Sequence, residues 1–89
     1  MHRREMQIIN RLGLHARAAA KFVSVASRFE SSIQVSRDER QVNGKSIMGV
    51  MMLAASRGTS IEVTADGPDE QQALEALTNL VAGRFGEED

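Results

Sequence analysis

The chain has 89 residues, 42% of them hydrophobic, which allows one domain with a single core and excludes an intrinsically unfolded chain. It has no cysteine and only two histidines, so disulfides, thiolate chemistry and cysteine-based metal sites are excluded. The net charge of -1 is spread unevenly: residues 1–28 hold Arg3, Arg4, Arg11, Arg17, Lys21 and Arg28 against Glu5 alone, while residues 62–89 hold eight acids against Arg84.

This asymmetry points to an acidic protein partner meeting the basic end. Nucleic acid is not expected as a partner, because the only aromatics in the basic stretch, Phe22 and Phe29, fall on an apolar helical face. Met1–Arg4 is followed by no long apolar run, so a signal peptide is not expected, and no stretch is apolar enough to span a bilayer. Together with the absence of cysteine, this fits a cytoplasmic protein.

In chain order, residues 4–9 read as a first strand, with Met6 and Ile8 alternating against Glu5 and Gln7. Asn10–His15 is a loop whose Gly13 permits a sharp turn. A helix runs from Ala16 to Ser27 or Arg28, with Ala19, Phe22, Val23 and Ala26 at helical spacing. Ser32–Ser36 is the second strand, Arg37–Arg40 a polar turn without the Asn-Gly pair of tight hairpins, and Gln41–Asn43 the third strand.

Ser46 is a candidate N-cap for a short helix carrying Ile47, Val50, Met51 and Ala54 on one face. Gly49 weakens that helix by about 0.8–1 kcal/mol relative to alanine. Met48 and Met52 are open to two readings, core filler or adaptable contact surface. After the turn Ser56–Thr59, Ser60–Ala65 is the fourth strand. The last helix starts after Pro68, with Asp69 as candidate cap and Glu70 in its first turn, and ends near Gly83. Residues 84–89 read as a frayed acidic tail, and His2 as an incidental residue of a frayed start. The order βαββαβα defines an α+β fold, a four-stranded antiparallel sheet covered on one face by three helices. One domain spans 1–89, with its core at about 4–82.

His15 is the chemically distinctive residue. It follows a glycine turn, opens a helix and has Arg17 two positions on. A neutral imidazole nitrogen can act as a nucleophile, and a phosphoryl group placed on it would meet helix N–H groups and a guanidinium. On these features alone two readings stand, an imperfect helix cap or an anion-carrying histidine. Other chemistries fail on inventory. A zinc site lacks ligands, so no metal is expected. No carboxylate lies near His15 in sequence to build a triad. Gly44-Lys45-Ser46 lacks the first glycine of a nucleotide-binding loop. Asp66 and Asp69 offer no calcium-loop pattern.

Asn10-Arg11-Leu12-Gly13-Leu14-His15-Ala16-Arg17 resembles the active-site segment of the HPr family. These are the histidine-containing phosphocarriers of the bacterial phosphoenolpyruvate-dependent phosphotransferase system. Val42-Asn43-Gly44-Lys45-Ser46-Ile47-Met48-Gly49-Val50-Met51 resembles the regulatory-serine segment of the same family, and the two motifs are in register.

The resemblance implies an open-faced β-sandwich, phosphorylation of His15 at Nδ1, and stabilisation of the phosphoryl group by Arg17 and by the backbone N–H groups of Ala16 and Arg17. It also implies phosphorylation of Ser46 by HPr kinase/phosphorylase, and docking of partners on Ile47, Met48 and Met51. The implied partners are enzyme I, or its nitrogen-system counterpart, and enzyme IIA-type proteins. A monomer with no cofactor is expected. The resemblance spans two branches, a sugar-transport carrier and a nitrogen-related regulatory carrier acting on signalling partners. One position departs from the family pattern: Ala18 stands where the family usually has proline, a residue favoured near helix starts.

Overall fold

Alternation of apolar and polar side chains dictates a sheet with one buried and one open face. The computed structural model describes residues 1–88. Its elements are β1 (His2–Gln7), α1 (Ala16–Ala26), β2 (Ser32–Arg37), β3 (Arg40–Asn43), α2 (Ile47–Met52), β4 (Ser60–Asp66) and α3 (Glu70–Ala82), followed by a short 3-10 turn at Arg84–Gly86. The strands lie in the order β1-β4-β2-β3, all neighbours antiparallel. Met6, Ile33, Val35, Ile61, Val63 and Ala65 point under the helices and are buried. Glu5, Ser32 and Glu62 alternate with them on the open face and are exposed. The expected α+β architecture is therefore present, with its three helices on one face.

Several boundaries differ from the sequence reading for local reasons. β1 begins at His2 rather than at residue 4 and ends before Ile8. His2 and Arg4 share the inward face with Met6 and reach over α3: the His2 ring meets Glu70, and Arg4 Nη1 donates to Thr78 Oγ1 at 2.9 Å. His2 is thus part of the sheet, and its start is not frayed. Ile8 leaves the ladder yet keeps two backbone bonds, its N–H to Thr59 O at 2.8 Å and its carbonyl from Gly58 N at 2.7 Å. The expected four-residue turn after β2 shrinks to Asp38-Glu39, since Arg37 pairs with Arg40. Asp38 supplies a positive φ of 56°, a conformation Asp tolerates because its short side chain can bond locally.

α1 has a buried face of Ala18, Ala19, Phe22 and Ala26 and ends at Ala26, short of the expected Ser27 or Arg28, with Ser27 as its C-cap. Ser46 caps α2 as its residue type suggests, Oγ accepting from Gly49 N at 3.1 Å. The other end of α2 is covered by two guanidiniums. Arg37 donates to Leu53 O and Ala54 O, and Arg40 to Met52 O, supplying donors for carbonyls the helix leaves unpaired.

Asp69 is not the side-chain cap expected of it. Its carboxylate turns to the α1–β2 connection instead. There it accepts from Glu30 N and Ser31 N, both at 3.0 Å, and from Ser31 Oγ at 2.5 Å. Ser31 is buried, so its N–H needs such a partner.

The largest correction is the tail. Phe85 is 1% exposed and belongs to the core, at a φ of 55° that turns the chain back over the molecule. Lys21 Nζ fastens that turn by donating to Phe85 O at 2.6 Å. Residues 84–88 are therefore docked by an aromatic anchor. Asp89, the last residue of the tail as read from the sequence, lies outside the described residues.

Candidate functional site

The loop before α1 is shaped by close backbone approach. Gly13 has φ +66°, and a Cβ there would stand 2.6 Å from Ala55 O and 2.9 Å from Ser56 Cα. Only glycine fits that conformation and that gap. The loop is pinned by Leu14 N–H donating to Ala55 O at 2.9 Å and by Asn10 Nδ2 donating to Gly13 O at 2.8 Å. Leu14 is buried, which turns the next residue outward.

His15 is the N-cap of α1 by backbone position, with φ -70° and ψ 176°, but its side chain makes no capping bond. His15 thus occupies the cap position without its side chain capping the helix, and the ring is committed elsewhere. The first-turn N–H groups, Ala16 and Arg17 among them, have no intrahelical acceptor, as at any helix start. Arg17 is exposed and lines the same open groove as His15, and its side chain makes no hydrogen bond or ion pair among the described residues. Ala18, in the family's proline position, is fully buried, so its methyl is a core contact as well as a helix-starting residue.

The ring's partner is a residue the sequence reading missed. His15 Nε2 lies 2.5 Å from Glu87 Oε2, and Asn10 Nδ2 donates to Glu87 Oε1 at 3.0 Å. The hydrogen bond from His15, followed by that from Asn10, holds the Glu87 carboxyl below its ordinary 4.5. An ionised carboxylate can only accept, so Nε2 carries the proton. In the neutral ring Nδ1 then keeps its lone pair. Asn10 Oδ1 is buried without a hydrogen-bond partner among the described residues, and the amide is oriented by its two donor contacts. Glu87 was hidden because it lies 72 residues from His15. The one available signal was Phe85, a lone large apolar side chain after a helix end.

The other expected residues fall on α2 and its start. Ile47 is 44%, Met48 73%, Met51 40% and Met52 59% exposed, so both open methionines take the surface reading. They form an apolar flank on α2, which packs beside α1. Ser46 stands at the head of that flank. Lys45 is drawn away from it, Nζ donating to Phe29 O at 2.7 Å. No helix among the described residues is long and apolar enough to cross a membrane.

A helix-start histidine and an exposed arginine thus share one groove on a small βαββαβα open-sheet domain. Residues 2–83 match the family model described as the PTS HPr component phosphorylation site. Phosphocarrier protein HPr of Cupriavidus necator is 56% identical over 87 residues, covering 98% of each chain. Among solved structures, HPr-C-His from Thermoanaerobacter tengcongensis superposes with a TM-score of 0.96 at 47% identity, covering all of both chains. An HPr dimer from the same organism gives 0.79 at 49% identity, covering 92% of this chain and 94% of that one. The chain belongs to the HPr family of the phosphotransferase system.

Proposed function

We propose that the protein relays a phosphoryl group through His15, receiving it from the phosphohistidine of enzyme I and passing it to a histidine of an enzyme IIA-type protein. The observation that carries this reading is the His15 ring itself, turned away from capping, with Nε2 against the Glu87 carboxylate and an exposed Arg17 lining the same groove. The Nδ1 lone pair attacks the donor's phosphorus, and the donor's N–P bond breaks in line with the bond being formed. Arg17 and the N–H groups of Ala16 and Arg17 share the charge of the arriving phosphoryl oxygens. Release to the acceptor is the same displacement in reverse. The protein needs little machinery beyond positioning, because the partner brings the second reacting imidazole.

Ile47, Met48 and Met51 serve as the docking flank, their exposed side chains adapting to more than one partner. The basic groups Arg11 and Arg17 beside the groove suit acidic partner surfaces. The carrier acts as a cytoplasmic monomer with no cofactor. Incubation with phosphoenolpyruvate and enzyme I is expected to give acid-labile phosphate on His15 and none on His15→Ala. An unlabelled wild type, or a fully labelled His15→Ala, overturns the relay.

Ser46 provides the regulatory point. Its Oγ already accepts a helix-start N–H, so a phosphate on it, installed by HPr kinase/phosphorylase, is tolerated locally. It would set about two negative charges at the head of the apolar flank and repel an acidic partner. Ser46→Asp is expected to accept phosphate from enzyme I more slowly than wild type; an unchanged rate removes this switch. The second reading is a regulatory module of the nitrogen-related branch, using the same flank on signalling proteins. It is favoured if the nitrogen-system donor labels His15 faster than the sugar-system enzyme I.

A further inference from the structure

The relay just described does not account for the docking of the tail, and residues 84–88 lie beyond the 2–83 match to the family model. Yet the tail is held by contacts that do not involve His15. Phe85 is buried in the core, Lys21 Nζ holds Phe85 O, and Asn10 Nδ2 holds Glu87 Oε1. The second carboxylate oxygen is thereby aimed at the imidazole before any phosphoryl group arrives. This is no loose surface pair, since the His15 and Glu87 side chains are only 28% and 18% exposed.

We propose that Glu87 is a positioning residue for the His15 ring, holding the Nε2 proton throughout the transfer cycle. The proposal rests on the phosphohistidine reading above. When Nδ1 forms its bond to phosphorus, the electron pair of the donor's N–P bond returns to the donor nitrogen. The Nε2 proton stays where it is, so the His15 ring becomes an imidazolium. Its positive charge is met by the ionised carboxylate 2.5 Å away. When the phosphoryl group leaves, the N–P electron pair returns to Nδ1 and the ring is neutral again, without any proton having moved. Glu87 thus does two things. It presents Nδ1 as the only free lone pair, and it stabilises the charged, phosphorylated ring over the free one. Phosphoryl groups are then held more firmly on this carrier than on one lacking the carboxylate. The charged side chains lining the same groove are Arg11, Arg17 and Glu88. Arg11 and Arg17 favour the phosphoryl oxygens, while the carboxylate takes the opposite edge of the ring.

The test uses the whole 15N-labelled protein as wild type, Glu87→Ala, Glu87→Gln and Glu88→Gln. Long-range proton–nitrogen correlation reads the two ring nitrogens of His15 at a pH where the ring is neutral. A phosphoryl-exchange equilibrium with enzyme I is measured alongside. Wild type and Glu88→Gln are expected to show a protonated Nε2 and a bare Nδ1. Glu87→Ala is expected to show averaged nitrogens and an equilibrium shifted about tenfold toward the donor, the effect of losing one charge-assisted bond. Glu87→Gln keeps a hydrogen-bond acceptor without the charge. It should retain the nitrogen pattern and still shift the equilibrium. A wild-type ring with bare Nε2 overturns the proposal, as does a Glu87→Ala protein with both readouts unchanged. If wild type takes no phosphate from any donor, the relay fails, while the ring signals still decide whether Glu87 fixes the tautomer.

Discussion

Single residues decide whether the His15 loop can exist. Gly13 combines a left-handed φ with an approach to the Ala55–Ser56 backbone that leaves no room for a methyl. Gly13→Ala is expected to destabilise the fold by about 1–3 kcal/mol, the scale of one strained backbone position, as read by urea unfolding. It should also slow phosphate uptake, because Leu14 N–H would lose its register with Ala55 O. The turn-forming role of Gly13 was legible from its place between Asn10 and a helical pattern. The reason that only glycine serves was not, since the Ala55 backbone approaches from a distant part of the sequence. His15 and Arg17 were equally legible as a pair, because both belong to one local motif. Glu87 and Asn10 were not, because their role depends on where a tail folds back. Asp69 was misread for the same cause: a helix-start acid looks like a cap until a buried Ser31 N–H competes for it.

At the scale of elements, period-two alternation located the strands because one face of the sheet is dry and the other wet. Their ends were less legible, since His2 and Arg4 are polar residues on the inward face. They face α3 at the rim, where polar side chains find partners in Glu70 and Thr78. The wet face carries a flaw: Glu5 stands directly opposite Glu62 across β1 and β4. Arg3 is only loosely placed to offset it, its Nη1 4.0 Å from Glu62. Glu5→Lys is expected to raise stability by about 0.2–1 kcal/mol, replacing a like-charge pair by an opposite one. Thermal unfolding at low and high salt measures this, and the gain should shrink at high salt.

Across the whole molecule, carboxylates that accept hydrogen bonds set the response to acid. The bond to His2, then that to the Met1 ammonium, holds Glu70 at about 2, and the bond to Ser31 lowers Asp69. Glu87 is lowered by His15. Each folded-state value lies below the unfolded one, so the associated stability is complete above about pH 4.5 and disappears as pH falls. For Glu70 the loss runs from about pH 4.5 down to about pH 2. Stability measured by denaturant unfolding across this range should decline steadily, and Glu70→Gln should flatten the decline. A Glu70→Gln curve parallel to wild type would show that these contacts do not persist in solution.

The folded-back tail also has a consequence during protein synthesis. The helices and sheet use residues up to Ala82, but the partner of the His15 ring is made 72 residues after the histidine itself. A chain emerging from the ribosome completes its first helix start early and its imidazole environment only after Glu87 has followed. A nascent or tail-clipped carrier would therefore present a histidine with both ring edges open. The ring would gain its fixed orientation only once Glu87 has been translated and Phe85 has docked.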